Sequence, residues 1–203
     1  MSAPSYIRRH INNLVGNEPF SIRDFLIYGD RNTVDQVFHR LLVEGRIVRV
    51  ARGIYIKDTS PVPSLMEIIA VKSKAFGRTV AVHGSQAGRY LTGKAQEKLV
   101  FATNGATTSF RVGNRVVRLV KTSLRKMQLA DTPVGLVIRA LWYLGSRACD
   151  VKAASLLLEQ LSGRDKRLLR LSAAGMPQWM RECFARFVRM DCLRRDLEPF
   201  LFN

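Results

Sequence analysis

The chain is poor in the residues from which metal centres, disulfide frameworks and acid–base sites are built. Its 203 residues include only three cysteines, Cys149, Cys183 and Cys192. Their number is odd, no C-x-x-C pair occurs, and each falls in a helical pattern where a small apolar residue would be buried. They read as reduced core thiols rather than metal ligands or disulfide partners. The three histidines, His10, His39 and His83, are scattered and form no H-E-x-x-H motif, so no metal is expected. Carboxylates number 16 against 33 lysines and arginines, and between residues 68 and 130 Glu97 is the only one, too few to hold a divalent cation. The G-x-x-x-x-G-K-[ST] loop, the G-x-G-x-x-G fingerprint and the G-x-S-x-G elbow are all missing. No catalytic residue and no cofactor are assigned, and enzyme chemistry is not indicated. No run of about 18 apolar residues exists, and the opening MSAPSYIRRH has no apolar signal-peptide core. The expectation is a cytoplasmic protein without a membrane partner.

What the chain does have is positive charge on an ordinary globular composition. It is 47% apolar and 24% charged, with a net charge of +17 and a pI near 10.7. A field of that sign favours polyanions, nucleic acid first among them, because neutralising phosphates supplies most non-specific binding energy. An acidic protein or an anionic membrane surface fits the charge as well.

From Pro4 to Val15 the positions Tyr6, Ile7, Ile11, Leu14 and Val15 have helical spacing, and Gly16, Asn17 and Pro19 end the helix. Ser21 is then an N-cap with Asp24 as its capping-box acid. The short helix it opens is expected to bury Ile22, Phe25 and Leu26, and Gly29 supplies a turn. From about Asn32 to Glu44, Val34, Val37, Phe38, Leu41 and Leu42 form one apolar stripe. Arg31, Asn32, Thr33, Asp35, Gln36, His39 and Arg40 are left on the other side. Asn and Gln can bond adenine bidentately, Arg can do so to guanine, and the Thr methyl can touch thymine. Gly45 stops the helix, and IVRV and IYI flank Ala51-Arg52-Gly53 as a hairpin with Arg46, Arg49 and Arg52 exposed.

Helix, turn, helix and basic hairpin is the order of a winged helix-turn-helix, whose second helix enters a major groove while the hairpin reaches the flanking backbone. The DNA-contacting candidates are therefore Arg31, Asn32, Thr33, Gln36, His39 and Arg40 on the recognition helix, and Arg46, Arg49 and Arg52 on the wing. A small three-helix domain with a hairpin that touches no DNA would show the same pattern.

The Pro- and Ser-rich DTSPVPS, Asp58 to Ser64, marks a boundary between a DNA-binding domain, residues 1–60, and a basic second domain, residues 61–203. The first holds 9 basic and 6 acidic residues, a net +3, and the second 24 and 10, a net +14. A helix is expected from Leu65 to Ala75, with Leu65, Ile68, Ile69 and Lys72 a turn apart, then a small sheet within 79–121. Gly113-Asn114 reads as a hairpin turn with Gly first, as a type II′ turn requires, pairing Phe110 with Val117 and Thr108 with Leu119. The other face carries Ser109, Arg111 and Arg118, as a solvated sheet surface or a contact for a phosphate or acidic partner. Helices follow over 134–195: Val134 to Leu144, apolar nearly all round except Arg139, two amphipathic helices split by Ser162-Gly163, and a last one opened by Pro177. Its stripe is Met180, Cys183, Phe184, Phe187 and Val188, and Arg181, Arg186 and Arg189 lie opposite, with Arg194 and Arg195 further on. These arginines are a solvated face or a basic contact surface. The whole reads as α+β, a winged helix-turn-helix followed by a mixed α/β domain that ends in a helical bundle.

The combination of DQVFHRLLVEGRIVRVARGIYIK, HGSQAGRYLTG, the FATNG turn with its basic hairpin, and MPQWMRE resembles the AbiEi family of antitoxins from type IV toxin-antitoxin systems, over roughly residues 5 to 190. The resemblance implies a phage-defence regulator that represses its own promoter by binding inverted repeats, an arrangement that allows a dimer on DNA. It also implies neutralisation of a co-encoded nucleotidyltransferase-type toxin, directly or only functionally. The mid-chain Arg89-Tyr90 and the linker TGKAQEK are more basic and polar than the pattern associated with that family, so no antitoxin residue is carried over. Two other readings stay open: a general nucleic-acid-binding protein that works through its basic second domain, and an enzyme that modifies the toxin.

Overall fold

In a computed structural model that describes residues 2–14, 18–57, 62–86, 99–130, 132–147, 151–186 and 189, the chain is α+β. The helix stop at Gly16-Asn17, the segment Asp58 to Pro61, residues 87–98 with Arg89, Lys94 and Glu97, Asp131, Cys149, Cys192, Phe187, Val188, Arg194 and Arg195 lie outside the described residues. Two units are distinguished, Met1–Val80 with Gly105–Leu119, and Ala81–Asn104 with Val120–Asn203. This division differs from a cut at residue 60, for two reasons within the first unit. The helix α3 (Leu65–Lys74) sets Ile68 into one core with Ala51 and Ile54. Strand β6 (Thr108–Val112) pairs with β2 (Ile47–Ala51) at Ala51↔Val112. Counted by unit, the first has 15 basic and 7 acidic residues, a net +8, and the second 18 and 9, a net +9.

In the first unit, α1 (Ala3–Asn13) carries Pro4 in its first turn, where the missing N–H costs nothing, and buries Ile7 and Ile11 one turn apart. Strand β1 (Phe20–Ser21) leads into a single 3₁₀ turn, Ile22–Phe25, closed by the expected capping box. Ser21 Oγ accepts from the Arg23 amide at 3.2 Å and the Ser21 amide donates to Asp24 Oδ2 at 3.1 Å. Ile22 and Phe25 are buried, but the turn is too short to carry Leu26 inside, and that side chain is exposed.

Helix α2 (Arg31–Val43) starts at Asp30, whose Oδ1 accepts from the Thr33 amide at 2.7 Å, and it buries Val34, Val37, Phe38 and Leu41. Their rings and branches meet Phe20, Phe25 and Tyr55; Phe38 lies edge-on to Phe25 and to Tyr55 at centroid distances of 5.2 Å and 5.0 Å. β2 and β3 (Ile54–Lys57) form the expected hairpin, and β1 adds to the edge of β3 through Phe20↔Tyr55. The order within this unit is β1-β3-β2-β6-β7, with β7 spanning Arg115–Lys121. The β6–β7 register has the expected pairs, Phe110↔Val117 and Thr108↔Leu119. At its turn Gly113 has φ +57 while Asn114 does not take a positive φ, which fits the type II′ turn and excludes type I′.

In the second unit, β4 (Val80–Val82) and β5 (Leu99–Thr103) are neighbours. Helix α4 (Pro133–Leu144) opens with Thr132 Oγ1 accepting from the Gly135 amide at 3.1 Å and with Pro133 in its first turn. It buries Val134, Val137, Ile138, Ala140 and Leu141. Burying a Val, Leu or Ile side chain fully stabilises by roughly 1.5–3 kcal/mol. Around it stand α5 (Val151–Leu158), α6 (Gly163–Leu171) and a last helix, α7 (178–186), which share one core through Leu157, Leu158, Leu169, Met180 and Phe184. Ser162-Gly163 is the start of α6 as well as the break before it. Ser162 Oγ accepts from the Asp165 amide at 3.2 Å, and Asp165 answers in a capping box. Cys183 is a buried member of this core.

Candidate nucleic-acid interface

The apolar stripe of α2 fixes which side chains remain outside. Arg31, Asn32, Gln36, His39 and Arg40 are exposed and Thr33 is half-buried, so one face of the helix carries amides, a guanidinium pair and an imidazole in a continuous strip. Arg31 is not wholly available. Its Nε donates to Asp35 Oδ2 at 2.8 Å in an exposed i,i+4 pair, an interaction worth only about 0.3–0.5 kcal/mol, which a phosphate or a base edge can displace. Asp30, at the helix start, is held below the usual carboxylate range by the Thr33 amide.

Arg46, Arg49 and Arg52 are all exposed, as expected, but the hairpin spreads them apart. Arg46 precedes β2 and turns towards α1, its Nη2 donating to Asn12 Oδ1 at 3.2 Å. Nearby Glu44 takes a two-point ion pair from Arg8 at 2.9 Å and 3.0 Å, and the Arg8 hydrogen bonds, followed by the charges of Arg8, Arg46 and Arg40, pull its carboxyl down. Arg49, in mid-strand, pairs across the hairpin with Tyr55. The Tyr55 hydroxyl is pushed up chiefly by burial, with smaller effects from Arg49, Asp35 and Arg31. Val48 and Arg49 are both exposed, and a register shift follows between Arg49 and Ala51.

Arg52, at the hairpin tip, meets Arg31 in a cleft of about 180 Å³ that is also lined by Arg23, Lys72 and Phe76. None of the described lining residues is acidic. The Arg23 guanidinium lies 4.0 Å from the centre of the Phe76 ring, and Arg78 stands 5.5 Å from it. Lys72 Nζ donates to the Arg52 carbonyl at 2.8 Å, and burial, then Arg52 and Arg49, lower its pKa. Sequence reasoning missed Arg23, Lys72, Phe76 and Arg78. A signal existed for Lys72, since a charged residue in the apolar stripe of α3 must find a polar partner where the stripe packs. Arg23 carried none, being an exposed position between Ile22 and Phe25.

Of the remaining basic candidates, Arg111 and Arg118 are exposed on the same face of β6 and β7, but in the first unit rather than in a separate C-terminal domain. Arg181 and Arg186 are exposed on α7, and Arg189 is exposed and also helical, all in the second unit. Among the described residues no group of three or more His, Cys, Asp or Glu could hold a metal ion. No described helix is long and apolar enough to cross a membrane.

These residues define an α+β protein with an exposed polar helix face and a basic cleft joined to it. The sequence matches the model of DUF6088, a family of unknown function, over residues 7–168, and the chain belongs to that family. No curated protein and no solved structure matches it.

Proposed function

We propose that residues 3–57 form a winged helix-turn-helix and that the protein is a DNA-binding transcriptional autorepressor, acting as the antitoxin of a type IV toxin-antitoxin module. In this reading α2 is the recognition helix. Asn32, Gln36 and Arg40 read base edges, His39 and Thr33 flank them, and Arg49 and Arg52 hold phosphates with Arg23 and Lys72. The observation that carries it is the cleft in which Arg31 of the helix and Arg52 of the hairpin converge with Arg23 and Lys72, none of its described lining residues being acidic. The pairing of β1 with β3 supports it too, since it ties the hairpin to the segment that precedes α2. Neutralisation of a co-encoded nucleotidyltransferase rests on the AbiEi resemblance alone. No catalytic step is included.

Footprinting on the DNA upstream of the gene tests the assignment. The protein should protect an inverted repeat, and the triple variant Gln36→Ala, Arg40→Ala, Arg52→Ala should lose that protection. Protection unchanged in the variant would remove α2 and the hairpin as the interface. A second reading, general nucleic-acid binding through the second unit, rests on the exposed Arg181, Arg186 and Arg189 there. It predicts that the same triple variant still binds every duplex equally well.

A further inference from the structure

The basic cleft of the first unit is smaller than a site for a whole small molecule. Its volume is about 180 Å³, whereas pockets for such ligands begin near roughly 300 Å³. Its charged lining comes from four elements: Arg23 from the 3₁₀ turn Ile22–Phe25, Arg31 from the start of α2, Arg52 from the tip of the β2–β3 hairpin and Lys72 from α3. Room for one headgroup with donors of one sign around it suits a compact anion.

Bonds between the walls close the cleft. The Ile22 amide donates to the Gly53 carbonyl at 3.1 Å and ties the turn to the hairpin. Lys72 Nζ donates to the Arg52 carbonyl at 2.8 Å and ties α3 to the hairpin. Arg23 Nη1 donates to the Ala75 carbonyl at 3.4 Å while its guanidinium lies 4.0 Å from the centre of the Phe76 ring, which ties the turn to the end of α3. A long exposed side chain such as Arg23 pays conformational entropy when it binds a ligand, unless its neighbours already hold it. The Phe76 ring holds it. Among the described residues, Asp35 is the only carboxylate paired with any of the four cations, through its exposed contact with Arg31. Arg23 and Arg52 make no ion pair there, and the hydrogen bond of Lys72 goes to a neutral carbonyl. Burial, then Arg52 and Arg49, lower the Lys72 pKa, and an anion placed between these cations relieves their repulsion.

We infer that this cleft seats one phosphate group. Arg23, Arg52 and Lys72 take its oxygens, Arg31 joins them by exchanging Asp35 for the ligand, and Phe76 is a positioning residue that presents the Arg23 guanidinium. The seat therefore needs Lys72 and Phe76, which lie beyond the winged helix-turn-helix proposed for residues 3–57. Either a backbone phosphate of a duplex or the terminal phosphate of a free ester can supply the group. The first source rests on the proposed DNA contact of α2 and the hairpin, and the seat itself does not.

Calorimetric titration of the full chain with inorganic phosphate and with acetate, at one ionic strength held by chloride, tests the seat without DNA. Phosphate should saturate at one site and acetate should not. Arg23→Gln with Arg52→Gln, both at exposed positions, should weaken phosphate at least about tenfold. Arg167→Gln with Arg170→Gln, on the exposed side of α6, should leave it unchanged. Phe76→Leu should weaken phosphate about threefold, Phe76→Tyr should retain it, and Phe76→Leu should have no further effect once Arg23→Gln is in place. A ring with a merely structural role would not show that dependence on Arg23. Repeating the titration on the complex with the upstream duplex distinguishes the sources: a blocked site means that a backbone phosphate fills the seat, and an open one means that a free ester does. A chain that binds phosphate but protects no DNA would sink the DNA reading and leave the seat intact. Absence of saturable phosphate binding, wild-type affinity in the Arg23 and Arg52 variant, an equal loss in the α6 variant, or an equal response to acetate would each overturn the proposal.

Discussion

The two units carry almost the same excess charge, +8 and +9, and display it in opposite ways. In the first, the cations lie on an exposed helix face, on a hairpin and around a cleft, where Arg31 keeps an exposed ion pair with Asp35. In the second, Arg139 is buried, with its guanidinium bonded to the Val82 and Ala130 carbonyls. Total charge therefore says little about mode of binding. Exposed cations give long-range, salt-sensitive attraction suited to a polyanion, whereas a buried guanidinium held by carbonyls is screened less and serves the packing around it.

The largest expected effects come from the cores that hold each display in place. Phe38→Ala removes the ring that seats α2 and should cost about 3–5 kcal/mol; Leu141→Ala, in the middle of α4, should cost about 2–5 kcal/mol. Chemical denaturation measures both. A cost below about 1 kcal/mol at Phe38 would mean that the aromatic cluster does not orient the helix face. Next, Gln36→Ala and Arg40→Ala should each lose about 1–3 kcal/mol on the preferred duplex and little on unrelated DNA, which competition binding resolves. Equal losses on every sequence would turn the helix face into one more phosphate contact. Smaller still is Ser162→Ala, which should cost about 1 kcal/mol by removing the α6 cap.

The smallest effect separates the units by pH. His83 has a folded pKa below its ordinary value of 6.5. As pH falls through that region the unfolded chain takes up a proton that the folded chain resists, so stability drops on acidification and is regained as pH rises. Arg139 and Tyr143 from α4 and Lys126 from the 3₁₀ turn Leu124–Met127 face the ring. Melting curves of His83→Gln should be flatter than wild type between about pH 7 and pH 5, and a variant with the wild-type slope would show that another group carries the dependence.

The sequence displayed the local elements well because their signals are local. The stripe of α2, the Ser21 and Asp24 capping box and the Gly113-Asn114 turn with its register were all legible, down to the pair Phe110↔Val117. Pairings over long separations were not. Phe20-Ser21 is too short to show a strand period, yet it joins β3. Nothing in Thr108 to Val112 announces that this strand meets Ala51, and that contact moves Arg111 and Arg118 into the first unit. The basic cleft was hidden for the same reason, since Arg23, Arg52 and Lys72 come from three separate elements. Arg139 was visible as the odd residue of an apolar helix, but its carbonyl partners, Val82 and Ala130, depend on the fold.

The central claim, that the first unit holds DNA through its hairpin and cleft, is tested most directly by the salt dependence of binding to the upstream duplex. Each phosphate contact contributes about 0.9 to the slope of log K against log salt concentration. Arg49→Gln with Arg52→Gln should make that slope shallower by about 2, while Lys121→Gln with Lys126→Gln leaves it unchanged. A slope untouched by the hairpin variant and flattened by the lysine variant would contradict the account.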